Sequence, residues 1–158
     1  MTPALARAIA TVGGLGMLPR FGGPIASALG LALVVGADVA GGPWLAALVA
    51  IAAAALGVWT CEHALRSAAA GLIEAESRRL VVRDLAGQML VGAAAPITPA
   101  GVLLAFGAYQ LFLHARPWPA LESLVRVPRG IAAMADGVFA ALGAALTIGF
   151  MTWTLGSA

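Results

Sequence analysis

The sequence predicts an all-α protein: a multi-pass membrane helical bundle with about three spans and a helical hairpin broken by proline. The first observation is composition, since 61% of the 158 residues are hydrophobic and only 10% are charged. A soluble domain averages about 25% charged residues. The second observation is three long apolar runs, and the third is a further apolar segment interrupted by two prolines. We expect residues 1–158 to form a single domain.

The three predicted spans approach the ~20 consecutive apolar residues that a membrane-crossing helix needs. They cover residues 24–40, 44–61 and 131–153. The glycine pair Gly41-Gly42 should turn the chain between the first two spans. Beyond the second span, charges alternate with small apolar residues over 62–83, which predicts a helix continuing into water or along the surface. Glu62 and Arg66 should form an i,i+4 ion pair on it.

The segment 85–113 contains Pro96 and Pro99, which should break a helix near its middle. Two full crossings would need about 40 helical residues, more than the segment has. A single crossing would place the three arginines of 114–130 outside, against the positive-inside tendency. We therefore expect a broken hairpin that enters the membrane and returns. This topology predicts a protein of the cytoplasmic (inner) membrane with its polar clusters on the cytoplasmic face.

Charge and cysteine content exclude some classes of protein. The 9 basic and 7 acidic residues leave a formal charge of +2, which is too small to indicate a nucleic-acid partner. The single Cys61 cannot form an internal disulfide. The expected partner is the membrane itself, and the oligomeric state stays open.

Four polar clusters should face one side of the membrane: GMLPRFGGPIAS at 16–27, VVRDLAGQ at 81–88, ARPWP at 115–119, and Asp136. Backbone N–H groups of the first cluster, at a helix start, could hold an anion; the alternative is a flexible segment leading into the first span. Asp84 is either a reactive group or a cap for a helix dipole. Arg116 could contact a lipid headgroup beside a stiff turn. Asp136 lies in an apolar run, where an ionisable group is costly and is a functional candidate unless it reaches water.

Together the four clusters resemble the motifs of the phosphatidylglycerophosphatase A family, from about Gly13 to the end of the last span. Those motifs read Gly-x-Leu-Pro-x-Ala-Pro-Gly-Thr-x-Gly-Ser, Val-x-Asp-Glu-x-x-Gly-Gln, Arg-x-x-Asp-x-x-Lys-Pro-Trp-Pro and Met-x-Asp-Asp. The matching residues are Gly16, Leu18, Pro19, Gly23, Ser27, Val82, Asp84, Gly87, Gln88, Pro117, Trp118, Pro119, Met134 and Asp136. The departures are Gly22, Pro24, Ala26, Leu85, Gln110, Leu113, Arg116 and Gly137. They remove several acidic positions.

The resemblance implies a membrane enzyme that converts phosphatidylglycerophosphate to phosphatidylglycerol with the help of Mg²⁺. It implies that Asp84 and Asp136 act as catalytic carboxylates and metal ligands. Glu122 is a further candidate metal ligand in place of a lost acid. Two carboxylates with substrate phosphate and water can hold magnesium. The residues implied at the substrate phosphate are Arg116, Gly16, Gly23 and Ser27.

Two alternatives stay open. One is a catalytically impaired relative that binds phospholipid or acts as a scaffold in phospholipid metabolism. The other is a small-solute carrier, which would need polar groups at mid-membrane on several spans, where only Asp38 and Asp136 are available.

Overall fold

The computed structural model describes residues 2–18, 20–67, 79–115 and 128–156. This part of the chain is all-α, with five α-helices, one short 3-10 turn at Leu15–Met17 and no strand. The helices are α1 Pro3–Ala10, α2 Gly22–Arg66, α3 Val82–Ala94, α4 Pro99–Ala115 and α5 Arg129–Gly156. The predicted fold class is confirmed.

Helix α2 consists of two arms, 22–40 and 43–66, separated by two non-helical glycines. Gly42 has a φ of 76°, a left-handed conformation that favours glycine over any residue with a Cβ. The arms lie side by side, because residues of both belong to one buried cluster with α3. That cluster comprises Leu31, Val34, Ala46, Ala50 and Met89. The predicted glycine turn is therefore present.

Helices α2 and α5 are long and apolar enough to cross a membrane. Because the glycine pair divides α2, these two helices contain the three apolar runs that the sequence indicates. Large apolar side chains cover the outside of the bundle, including Trp44, which is 87% exposed, as well as Val39 and Leu146. An apolar exterior of this extent is typical of a protein whose solvent is lipid.

The broken hairpin is confirmed as helices α3 and α4. Helix α3 ends at Ala94, and Ala95 is extended. The Thr98 hydroxyl accepts a hydrogen bond from the Gly101 N–H at 3.0 Å and so caps the start of α4. Near the other end of α4, the Tyr109 hydroxyl donates to the Arg83 carbonyl at 3.3 Å. The hairpin therefore returns to the level at which it began.

The helix directions bring several helix ends together at one end of the bundle. The first arm of α2 runs parallel to α3, since Gly23 lies beside Asp84 and Val34 lies beside Gly92. At the end of the second arm, Glu62 accepts a hydrogen bond at 2.5 Å from the backbone N–H of Gly130 in α5. At this end of the bundle α2 both starts and finishes, α3 and α5 start, and α4 finishes. We call it the site end.

Two further segments border the site end. Helix α1, which the sequence analysis did not predict, packs on α2 and buries Ala6 and Ala10. The predicted extension of the second span is confirmed as far as Arg66, whose Nε lies 2.7 Å from Glu62 Oε1. Residues 68–78 of that predicted segment are outside the described residues, and residues 79–81 are not helical, so the prediction is wrong there.

Candidate functional site

Close backbone approach at the site end depends on glycines. A Cβ added to Gly16 would collide with the Arg79 carbonyl oxygen. One added to Gly23 would lie 2.7 Å from Asp84 Oδ2, and one added to Gly137 would lie 2.7 Å from the Arg83 carbonyl oxygen. The loop before α2, the start of α3 and the first turns of α5 are therefore packed at distances that larger residues would prevent.

The carboxylates of Asp84 and Asp136 approach the same guanidinium group. Asp84 lies in the first turn of α3 and is only 4% exposed. Its Oδ1 is 3.3 Å from Arg83 Nε. Asp136 of α5 has Oδ2 at 3.9 Å from Arg83 Nη1. The structure thus brings both predicted catalytic carboxylates to one place, with Arg83 as the group that they share.

A cavity of ≈ 650 Å³ opens at the site end between the loop before α2, the start of α3 and the end of α4. Its charged lining consists of Arg20, Arg79, Arg83 and Asp84, with His114 beside them. With three arginines and one carboxylate in its lining, the cavity is cationic. Arginine forks make paired hydrogen bonds to phosphate oxygens, so the lining suits a phosphorylated group.

The residues predicted to contact phosphate differ in where they lie. Gly16 and Gly23 line the cavity. Ser27 does not belong to its lining: it is 0% exposed, and its hydroxyl donates to the Asp84 carbonyl oxygen at 3.3 Å. Its role in the structure is to hold α3 against α2. Arg116 and Glu122 lie outside the described residues.

The motif departures also occupy distinct surroundings. Leu113 and Gln110 line the cavity. The amide atoms of Gln110 are buried and have no hydrogen-bond partner among the described residues. Leu85 packs against the apolar cluster between the two arms of α2. Only some of the lost acidic positions therefore face the cavity.

Sequence reasoning missed the arginines that dominate the cavity. Arg20 and Arg83 occupy variable positions within the motifs, and Arg79 lies just outside them. The available signal was the charge pattern around Asp84, since Arg83 directly precedes it. Motif matching gave that arginine no weight.

The described side chains do not form a ready magnesium site. Among them, no three His, Cys, Asp or Glu residues lie close enough together to hold a metal ion. Magnesium requires near-octahedral oxygen ligands. Asp84 and Asp136 instead share a guanidinium, whose positive charge would repel a cation between them. As arranged, the two carboxylates do not fit magnesium, and the expected cofactor stays a prediction.

The fold and the cavity define a helical membrane protein with a cationic site at one end of its bundle. A family model described as Phosphatidylglycerophosphatase A matches residues 8–152, nearly the whole chain, and the chain therefore belongs to that family. No curated protein and no solved structure matches the chain. The resemblance drawn from the four motifs is confirmed, and with it a function of the phosphatidylglycerophosphatase type at the level of the family.

Proposed function

We propose that this chain is a membrane lipid phosphatase that converts phosphatidylglycerophosphate to phosphatidylglycerol. The observation that carries the proposal is the cationic cavity, whose lining contains three arginines and the buried Asp84. The substrate headgroup bears a phosphodiester and a terminal phosphomonoester. A cavity with several guanidinium groups can neutralise both.

In this proposal the cavity arginines bind and orient the phosphoryl oxygens, which stabilises charge as the phosphorus–oxygen bond to glycerol breaks. Gly16 and Gly23 keep the backbone near the phosphate free of side chains. Asp84 is the carboxylate on the cavity wall and would orient the attacking water and accept its proton. Water supplies the oxygen that joins phosphorus, and the departing glycerol oxygen takes up a proton.

The proposal also places the site on the cytoplasmic face of the inner membrane. It rests on the positive-inside tendency, because arginines concentrate at the site end of the bundle. Arg66, Arg79, Arg83 and Arg129 all lie there.

A second candidate function is phospholipid binding without turnover. The shared Arg83 favours it, because a guanidinium stands where the two carboxylates meet. Leu113 on the cavity wall, where the family motif has an aspartate, favours it too.

Phosphate release from phosphatidylglycerophosphate by the purified protein, with Mg²⁺ or with EDTA, tests both candidates. Asp84→Asn should abolish release. Asp38→Asn, at the far end of the first arm of α2, removes the same charge away from the cavity and should leave release unchanged. Lipid binding without release by the wild type would favour the second candidate. Absence of both binding and release would reject the two together.

A further inference from the structure

Arg83 belongs to two environments at once. Its guanidinium lies between the carboxylates of Asp84 and Asp136, and the same residue lines the cavity. A guanidinium in this position can be held by the two carboxylates and, at the same time, contact a ligand in the cavity.

We propose that the Arg83 guanidinium replaces a divalent cation, so that the cavity binds a phosphomonoester without a metal ion. The ligand class rests on the function proposed above. The carboxylates would fix the guanidinium in place, and the guanidinium would face the phosphate oxygens. A metal-bound site would use the same two carboxylates to hold the ion instead.

The hydrogen bonding of Arg83 supports this role. Its Nε is buried and has no hydrogen-bond partner among the described residues, although Asp84 Oδ1 lies 3.3 Å away. The contact with Asp84 is therefore one of charge rather than of an aligned hydrogen bond. Guanidinium carries five N–H donors, so donors remain for a ligand. The buried, unpartnered amide of Gln110 on the same cavity wall also indicates a polar ligand.

The charge balance points in the same direction. Arg20, Arg79 and Arg83 together outnumber the carboxylates of Asp84 and Asp136. The site therefore has a net positive charge before any metal is added. A phosphomonoester, which carries up to two negative charges, would meet a complementary charge without an added cation.

The surroundings of Arg83 leave no room for one of the missing acids. The second aspartate of the last family motif corresponds to Gly137, and a Cβ there would lie 2.7 Å from the Arg83 carbonyl oxygen. Leu85, at the position of the family glutamate, packs in the apolar cluster. The backbone packing around Gly137 thus excludes an aspartate at this position, which is one of the acidic positions that the chain has lost.

Binding measurements on the full chain in lipid nanodiscs test the inference. Phosphatidylglycerophosphate in the nanodisc is compared with soluble glycerol 3-phosphate and inorganic phosphate, each in EDTA and in excess Mg²⁺. We expect lipid affinity to change less than about twofold between EDTA and Mg²⁺, because the guanidinium already supplies the charge. Binding of the soluble probes would show that the phosphate group is sufficient for recognition. Binding of the lipid but not of the soluble probes would show that recognition requires the headgroup in the membrane. Both results support the inference if they persist in EDTA.

Variants of Arg83 sharpen the test. Arg83→Leu should weaken binding in EDTA about tenfold or more, the loss expected for a charged hydrogen bond. Arg83→Lys should recover part of the affinity, since it retains the charge without the planar fork. Arg66→Leu is the matched control: it removes a guanidinium whose side chain is 70% exposed and lies outside the cavity lining, and it should change nothing.

The outcomes separate this inference from the function on which it rests. Binding that requires Mg²⁺ would overturn the inference and leave the proposed function standing. A complete lack of binding with and without Mg²⁺ would reject the proposed function itself. Should Arg83→Leu fail to fold, titration of the wild type with Mn²⁺ followed by electron paramagnetic resonance still decides. No saturable site is expected without phosphate, and a saturable site would contradict the inference.

Discussion

Gly23 faces the carboxylate of Asp84 so closely that a Cβ at position 23 would lie 2.7 Å from Oδ2. The start of α2 and the start of α3, far apart in the chain, thus form one wall of the cavity. The contact explains why a residue without a side chain stands in the first turn of α2. It also makes the geometry of Asp84 sensitive to a single added methyl group.

Gly23→Ala should reduce phosphate release roughly ten- to hundredfold, because the displaced carboxylate would no longer be aligned with the reacting atoms. The measurement is initial rate against phosphatidylglycerophosphate concentration. The matched control is Gly36→Ala on the same arm of α2, where an added Cβ meets nothing within 4 Å. Equal rates for the two variants would show that the close approach of Gly23 to Asp84 does not affect catalysis.

Arg20→Ala and Arg79→Ala should each raise KM for the lipid substrate severalfold while changing kcat less. Both side chains line the cavity, whereas the ion pairs described for Asp84 and Asp136 are with Arg83. Added salt should weaken substrate binding by the wild type more than by either variant, because exposed charges are screened. Kinetics at low and high ionic strength provide the measurement, with Arg129→Ala as a control outside the cavity lining. A KM that stays at the wild-type value would remove these arginines from the binding site.

The sequence predicted the parts of the fold that local physics controls. Apolar run length indicated the helices, the glycine pair indicated the turn in α2, and Pro96 and Pro99 indicated the break in the hairpin. Helix α1 escaped prediction because eight residues are too short for a clear periodic signal. Its packing on α2 is a tertiary feature.

The candidate site was only partly predictable for a related reason. Motif order identified Asp84 and Asp136, but their approach to Arg83 depends on helix packing across Gly23 and Gly137. The motif match of Ser27 predicts a contact with phosphate. In the structure its hydroxyl donates a hydrogen bond to the Asp84 carbonyl oxygen of α3, and its contact with phosphate stays a prediction.

Glu62→Ala should destabilise the protein by about 1–2 kcal/mol, because the carboxylate accepts a hydrogen bond from the N–H of Gly130 at the start of α5. Arg66→Ala removes only the exposed ion pair with Glu62 and should cost about 0–1 kcal/mol. Thermal unfolding of both variants in the same detergent provides the comparison. A larger loss for the arginine variant would mean that the ion pair, and not the cap, holds the second arm of α2 to α5.

The topology can be tested by cysteine labelling in a Cys61→Ala background. Cysteines at Ser67 and His114, which are exposed and lie at the ends of α2 and α4, should react only with reagents that reach the cytoplasm. A reporter fused after residue 153 should report the outside, because α5 crosses once from the site end. Labelling of position 114 from outside would mean that the hairpin crosses the membrane, and it would contradict the shared cytoplasmic site.

Magnesium dependence should be engineered most readily by Arg83→Leu combined with Leu113→Asp. The first change frees the carboxylates of Asp84 and Asp136, and the second adds a carboxylate to the cavity wall, which Leu113 already lines. Three oxygen-bearing side chains with phosphate and water could then satisfy magnesium. Isothermal titration with Mg²⁺ should show a saturable site in the double variant and a weaker one or none in either single variant.

Gly137→Asp should instead unfold the chain or lower its expression, because its Cβ would lie 2.7 Å from the Arg83 carbonyl oxygen. A stable Gly137→Asp variant that binds Mg²⁺ while the double variant does not would show that a magnesium site in this chain is organised around α5 and not around the cavity.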